Sequence, residues 1–159
     1  MSSRHAPAPV QLQDAGWDEL DEVMEVMTAA FDPQFGEAWT RAQCAGILPM
    51  KGVKMTLAKA SGPPLGFSLV RQVADESELL LLAVRPEARG HGIGTRLLQR
   101  FVEDASRAGL KKLHLEVREG NQAVDLYREN QFTVEGRRNK YYRGTNGQVR
   151  DALTMVRFL

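Results

Sequence analysis

The sequence predicts an α/β fold built on a mixed β-sheet, and three observations carry that prediction. Leu79 to Val84 is an unbroken apolar run of strand length, closed by Arg85-Pro86, which fits a strand buried on both faces. From Ile93 to Ala108 the apolar residues Ile93, Leu97, Leu98, Phe101, Val102 and Ala105 recur at three and four, with charged residues between them, the period of an amphipathic helix. Lys111 to Arg118 then alternates: Leu113, Leu115 and Val117 share one face, and Lys112, His114, Glu116 and Arg118 the other, as in a half-buried strand. Strand, helix and strand in that order form a β-α-β unit, so the two strands should be parallel neighbours.

The remaining elements follow in chain order. Met1 to Pro9, with two prolines and two serines, reads as a disordered tail, and residues 10–159 as one domain. Val10 to Asp14 suits a short first strand. Trp17, Leu20, Val23, Met24, Met27 and Phe31 mark a helix whose first turn holds Asp18, Glu19, Asp21 and Glu22, and Pro33 stops it. Asp32 to Trp39 is then a loop carrying Phe35 and Trp39, and Thr40 caps a short helix that ends near Pro49. Val53 to Ala60 and Leu65 to Val73 read as a hairpin joined by Ser61-Gly62-Pro63-Pro64, and Ala74 to Ser77 turns into the central strand. After the β-α-β unit, Gln122 to Asn130 is a short helix with Asn121 at its cap. Phe132 to Arg138 and Val149 to Phe158 form a terminal hairpin around Asn146-Gly147.

Composition narrows the function classes. Twenty-one basic and twenty acidic residues leave a net charge of +1, so neither nucleic acid nor an anionic membrane is strongly attracted. No apolar run is long enough to span a membrane, and the N-terminus lacks a signal-peptide core. Cys44 is the single cysteine, which excludes an internal disulfide and agrees with a reducing, cytoplasmic setting. His5, His91 and His114 show no metal-ligand spacing, so no metal is expected.

Chemistry concentrates between the central strand and the long helix. The loop Arg89-Gly90-His91-Gly92-Ile93-Gly94-Thr95 stands at a helix N-terminus, where partnerless N–H groups and the helix dipole attract anions. Its glycines let a pyrophosphate approach the backbone, and Arg89 can add a charge-assisted contact. A dinucleotide-binding loop would need G-x-G-x-x-G directly after the strand. Here five residues separate Val84 from Gly90, and Thr95 stands where the third glycine belongs. A P-loop would need Gly-Lys-Ser/Thr at its end.

The pattern R-x-x-G-x-G, filled by Arg89, Gly92 and Gly94, resembles the acyl-CoA pyrophosphate loop of the GNAT N-acetyltransferase superfamily. With LLLLAVRPEARGHGIGTRLL, HLEVREGNQAVDLYRENQF, RRNKYY and RDALTM, the chain from about Leu65 onward resembles the RimI-type ribosomal-protein alanine N-acetyltransferases of that superfamily. The resemblance implies a GNAT fold, a central mixed sheet with helices on both faces, and acetyl-CoA as co-substrate. It implies that Leu82, Ala83 and Val84 pair with the pantetheine arm and that Arg89 to Thr95 hold the pyrophosphate. Glu116 then stands at the position of the general base and Tyr127 at that of the general acid. Asn121 stands where the family holds the pantetheine near the thioester. Tyr141 and Tyr142 resemble aromatics that grip the peptide's first residues, and Phe35 and Trp39 are candidates for the groove's other wall.

Two departures stand out. The family usually places seven steps between the asparagine and the tyrosine, whereas Asn121 to Tyr127 is six, and the helix-ending glycine before Phe132 is replaced by Gln131. That removes an easy left-handed cap, although Asn130 tolerates such a conformation. The implied activity is acetyl transfer from acetyl-CoA to the N-terminal α-amine of a small-subunit ribosomal protein, most specifically to an N-terminal alanine. A GNAT enzyme acting on a small amine or a lysine, and a non-catalytic acyl-CoA-binding module, are the alternatives.

Overall fold

In the computed structural model residues 8–159 are described, so the tail expected over residues 1–9 lies, except for Ala8 and Pro9, outside the described residues. Seven strands form one sheet in the order β1-β2-β3-β4-β5-β7-β6. They are β1 (Gln11–Ala15), β2 (Val53–Lys59), β3 (Gly66–Val73), β4 (Glu76–Val84), β5 (Lys112–Arg118), β6 (Thr133–Arg143) and β7 (Val149–Phe158). Every neighbouring pair is antiparallel except β4 and β5, which are parallel. That exception is the β-α-β unit, with α3 (Ile93–Arg107) as the crossover.

Helices cover both faces. On one side α1 (Leu20–Ala30) and α2 (Arg41–Ile47) close a core of Leu20, Val23, Val26 and Met27 against Met55, Leu57, Phe67 and Leu69. On the other, α3 and α4 (Ala123–Glu129) pack Leu98, Phe101, Val124 and Tyr127 against Leu113, Leu115 and Met155. Burying a side chain such as Leu98 or Phe67 contributes about 2–3 kcal/mol each. A third, smaller cluster of Ala58, Ala88, Ile93 and Leu97 joins the start of α3 to β2.

β4 belongs to both cores because its register shifts. Leu69 pairs with Leu81 while Val70 pairs with Leu79, so Leu80 is an extra residue, a β-bulge. Simple alternation would put Leu79 and Leu81 on one face. Instead Leu79 joins the core under α3 and α4, whereas Leu81 and Ala83 join the core under α1 and α2. The apolar run therefore buries both faces, as expected, with a switch in the middle.

At the same level the two central strands part. The parallel pairing runs from Glu76 opposite Lys112 to Leu79 opposite Leu115, while β4 continues to Val84 and β5 to Arg118. The backbone edge from Leu80 onward thus faces a gap rather than β5.

Several local expectations change. Trp17 to Glu19 is a 3-10 turn before α1 rather than its first turn, and Trp17 is exposed. Thr40 does cap α2, its hydroxyl accepting from the Gln43 N–H at 3.1 Å while Gln43 accepts from the Thr40 N–H at 2.7 Å. β6 extends to Arg143, past the expected Arg138, through irregularities after Val134 and after Arg138. The left-handed residue after α4 is Gln131, at φ 70°, and not Asn130, at φ −103°. Asn130 instead turns its side-chain amide back to the Leu126 carbonyl at 2.8 Å.

Candidate active site

The gap between β4 and β5 opens into a cavity of about 110 Å³. Its walls come from β4 (Leu79 to Leu82), from β5 (Glu116, Val117), from α4 and the turn before it (Asn121, Ala123, Tyr127), from β6 (Tyr141, Tyr142) and from the loop after α1 (Glu37, Trp39). Glu116, Tyr127, Asn121, Leu82, Trp39, Tyr141 and Tyr142, singled out in the sequence, therefore meet at one place.

Glu116 lies on the polar face of β5 and is only 10% exposed. Its Oε1 forms an ion pair with Arg138, 2.8 Å from Nε, and its Oε2 accepts from the Thr154 hydroxyl at 2.7 Å. Thr154 sits directly opposite it on β7, so the sheet register itself fixes this carboxylate. The Tyr142 hydroxyl donates to the Glu116 carbonyl at 3.2 Å. Tyr142 also meets Tyr141 edge to face, with centroids 4.9 Å apart, and the pair forms one aromatic wall. His114, on the same strand face, points to Glu76 at 3.9 Å and does not line the cavity.

Tyr127 is delivered by α4 and braced by Phe132, whose ring stands at 62° with centroids 6.1 Å apart. Burial, with the nearby charge of Glu37 adding to it, pushes its phenol well above the ordinary value. Tyr127 is thus held protonated at any physiological pH.

Glu37 was not anticipated from the sequence. It is 11% exposed and accepts from Arg118 Nε at 3.0 Å and from the Asn121 side-chain amide at 2.7 Å. Its only sequence signal was an acidic residue inside a loop already marked by Phe35 and Trp39, and loops rich in such residues are common. Asn121 also accepts from the Ala123 N–H at 2.8 Å, tying the turn before α4 to the loop after α1, although the residue at the helix cap itself is Gln122.

Phe35 is a correction. It does not line the cavity but lies under two guanidinium groups, Arg118 at 3.8 Å and Arg150 at 5.0 Å from its ring centroid. These cation–π contacts hold the loop down.

The glycine loop lies at the far end of β4. Arg96 makes the first helical bond of α3, to the Gly92 carbonyl at 3.0 Å, so the N–H groups of Ile93, Gly94 and Thr95 emerge from the helix end without intrahelical partners. Gly90 and Gly92 take φ of 80° and 78°, a conformation that other residues adopt only at a cost. A side chain added at Gly92 would meet nothing within 4 Å, so the approach is open, whereas one at Gly94 would stand 3.5 Å from Leu126 of α4. Among the proposed cofactor residues, Ile93 and Ala83 send their side chains into the cores and offer only backbone. Val84 packs beside Ile93, and His91 is exposed. Arg89 departs from the expected anion contact. Its guanidinium donates to the Val84 and Ala30 carbonyls, each at 3.0 Å, fastening the loop between β4 and α1.

Comparison with known proteins places this arrangement. Residues 20–132 match the acetyltransferase (GNAT) family. The chain is 34% identical over 95 residues to the [ribosomal protein bS18]-alanine N-acetyltransferase of Haemophilus influenzae, an alignment covering 60% of this chain and 65% of that protein. It thus spans just under two thirds of that relative's length. It is also 28% identical over 140 residues to the putative [ribosomal protein bS18]-alanine N-acetyltransferase of Bacillus subtilis, with 87% and 88% covered. With the N-alpha-acetyltransferase RimI of Mycobacterium tuberculosis it shares 37% identity over 105 residues, 63% of each chain. The same fold is seen in the ribosomal-protein-S18-alanine N-acetyltransferase of Escherichia coli, with a TM-score of 0.83, 24% identity and 94% of both chains covered. Arabidopsis thaliana NAA60, solved with a bisubstrate analogue, shares it at a TM-score of 0.81 and 18% identity, with 94% and 98% covered. The chain belongs to the acetyltransferase (GNAT) family.

Proposed function

We propose that this protein transfers the acetyl group of acetyl-CoA to the N-terminal α-amine of a protein, with the N-terminal alanine of a small-subunit ribosomal protein as the preferred acceptor. One observation carries the reading: a fixed carboxylate, Glu116, and a buried protonated phenol, Tyr127, line one cavity at the fork of two parallel strands, with a helix end of partnerless N–H groups at the far side of the same strand. The names of the relatives support the choice of acceptor. One domain, working in the cytoplasm where ribosomal proteins are made, suffices for this task.

The residues fit acetyl-CoA. The partnerless N–H groups of Ile93, Gly94 and Thr95, with the open approach at Gly92 and Thr95 beside them, suit a pyrophosphate. The edge of β4 from Leu82 to Val84 offers backbone groups to the amides of a pantetheine arm. Asn121 keeps one amide hydrogen and one lone pair for that arm beyond its bonds to Glu37 and Ala123. The reacting thioester then belongs in the cavity between β4 and β5.

Glu116 receives the proton of the attacking amine, through a water where the distance requires it, and Tyr127 gives its proton to the departing thiolate. Backbone N–H groups on the parted edge of β4 polarise the carbonyl as charge develops on its oxygen. The magnitudes favour an N-terminal amine. At pH 7.4, neutralising an α-amine of pKa about 7.8 costs roughly 0.5 kcal/mol, whereas a lysine at about 10.4 costs roughly 4. A carboxylate acting at a distance suffices for the first. Trp39, Tyr141 and Tyr142 bound an entry that suits an extended backbone with a small first side chain.

The test is Glu116→Gln, which keeps the shape and removes the proton acceptor. Thiol release with an Ala-starting peptide should fall about 10²-fold near neutral pH and recover in part as the pH rises toward the amine pKa. Full activity from about pH 6 to 8 would remove Glu116 from the chemistry.

A further inference from the structure

The carboxylate that this reading needs for the acceptor is already engaged. Glu116 Oε1 is held by Arg138 at 2.8 Å, yet Arg138 is 62% exposed whereas Glu116 is 10% exposed. The exposed guanidinium is rehydrated as it moves away, while the largely buried carboxylate it leaves is costly to strand without a cation, so the arginine's departure calls for another cation in its place. The route by which Arg138 arrives is built into the register. Glu116, Thr154 and Gly136 form a row across β5, β7 and β6, and opposed residues share a face. Gly136 puts no side chain into that row, and a Cβ there would meet nothing within 4 Å. Arg138, two residues along β6 and so on the same face, leans across the opening to reach Glu116. Immediately after Arg138 the pairing with β7 is broken until Tyr142, and Lys140 takes φ 53°. The strand is therefore irregular where the arginine must swing. The guanidinium also lies over the Tyr141 ring, its carbon 5.8 Å from the centroid, so that contact can persist when the pair with Glu116 opens.

We propose that Arg138 is a placeholder for the acceptor: its guanidinium holds the seat on Glu116 that the acceptor's terminal ammonium takes in the complex, and it gives up that seat, turning outward toward solvent, as the peptide enters. The proposal rests on Glu116 as the site that receives the acceptor amine. It adds that entry is an exchange of one cation for another on one carboxylate. An acceptor without a cationic end, such as a blocked peptide, cannot displace the arginine, so the exchange selects for a free amine before any chemistry occurs. Arg138 is a positioning residue, and no bond to the acetyl group passes through it.

The exchange predicts an unusual sign, because removing a residue at the mouth of the site should tighten binding. Calorimetry with CoA present, at about pH 6.5 where an α-amine is protonated, would follow an Ala-starting peptide on wild type, Arg138→Ala, Arg138→Gln, Glu116→Gln and the Glu116→Gln/Arg138→Ala double variant, with thermal melts to establish folding. The expected result is a several-fold tighter peptide affinity for both Arg138 variants, no such gain for an N-terminally blocked peptide, and no gain from Arg138→Ala when Glu116 is already Gln. Weaker or unchanged peptide binding in both folded Arg138 variants would overturn the proposal, as would an equal gain in the Glu116→Gln background. The underlying reading fails separately. If Glu116→Gln retains full turnover while the affinity cycle still shows coupling, Glu116 seats the amine without being its base.

Discussion

Tyr142 shows how one residue can serve the site and the fold together. Its hydroxyl donates to the Glu116 carbonyl, and burial, with smaller contributions from the charges of Glu37 and Glu116, pushes its ionisation above the ordinary value of 10.0. In the unfolded chain the phenol titrates at that ordinary value, so its contribution to stability is fully present below pH 10.0 and is lost as the pH climbs from there toward the folded value. Each such tyrosine adds up to about 1.4 kcal/mol of loss per pH unit. Denaturant unfolding of wild type and Tyr142→Phe should therefore diverge in slope only above this point, with the phenylalanine variant declining less steeply. Identical slopes would mean that the phenol is not buried as described. Cys44, by contrast, is a buried thiol whose burial raises its pKa, which fits a packing residue of α2 and not a nucleophile.

Two positions test the elements. Gln131 ends α4 at φ 70°, where a side chain costs about 1–2 kcal/mol relative to glycine. The substitution Gln131→Gly should stabilise the protein by about 1 kcal/mol and raise the melting temperature by roughly 2–4 °C; a lower melting temperature would show that the Gln131 side chain offsets the strain. At the start of α3, the Cβ added by Gly92→Leu meets no atom within 4 Å, but the residue must hold φ 78°. It should lose about 1–2 kcal/mol of stability, remain folded, and bind CoA far more weakly by calorimetry because its side chain stands in the anion's approach. Unchanged affinity in the folded variant would remove the helix end from cofactor binding. The legibility of these elements follows the range of the forces that make them. The long α3, the alternating β5 and the Thr40 cap depend on residues within a few positions of one another and could be read from the sequence. The bulge at Leu80 could not, because its register is set by β3 across the sheet. The left-handed turn shifted from Asn130 to Gln131 for a similar reason: the Asn130 side chain found a better use on the Leu126 carbonyl.

The sheet is opened at one point, with most of the candidate site residues gathered around the opening and the glycine loop at the far end of β4. The parallel strands pair only as far as Leu79 and Leu115, and the residues that resemblance brought forward, Glu116, Asn121, Tyr127, Tyr141 and Tyr142, surround the gap beyond. Glu37 and Arg138 complete the charge pattern there and were invisible as site residues, since their partners Arg118 and Glu116 lie far along the chain. Phe35 illustrates the reverse: an aromatic residue in the right loop is taken up by the arginines stacked over its ring. On the proposed reading, the acceptor is an amine that is cheaply neutralised at physiological pH, delivered at the end of an extended chain. Tandem mass spectrometry of peptides incubated with the protein and acetyl-CoA, differing in residue one and carrying an internal lysine, tests this most directly. The account predicts acetylation of the α-amine of Ala-starting peptides, weaker reaction with Ser or Gly first, and none on blocked peptides; acetyl groups mainly on lysine side chains, or efficient turnover of a polyamine with no reaction on Ala-peptides, would contradict it.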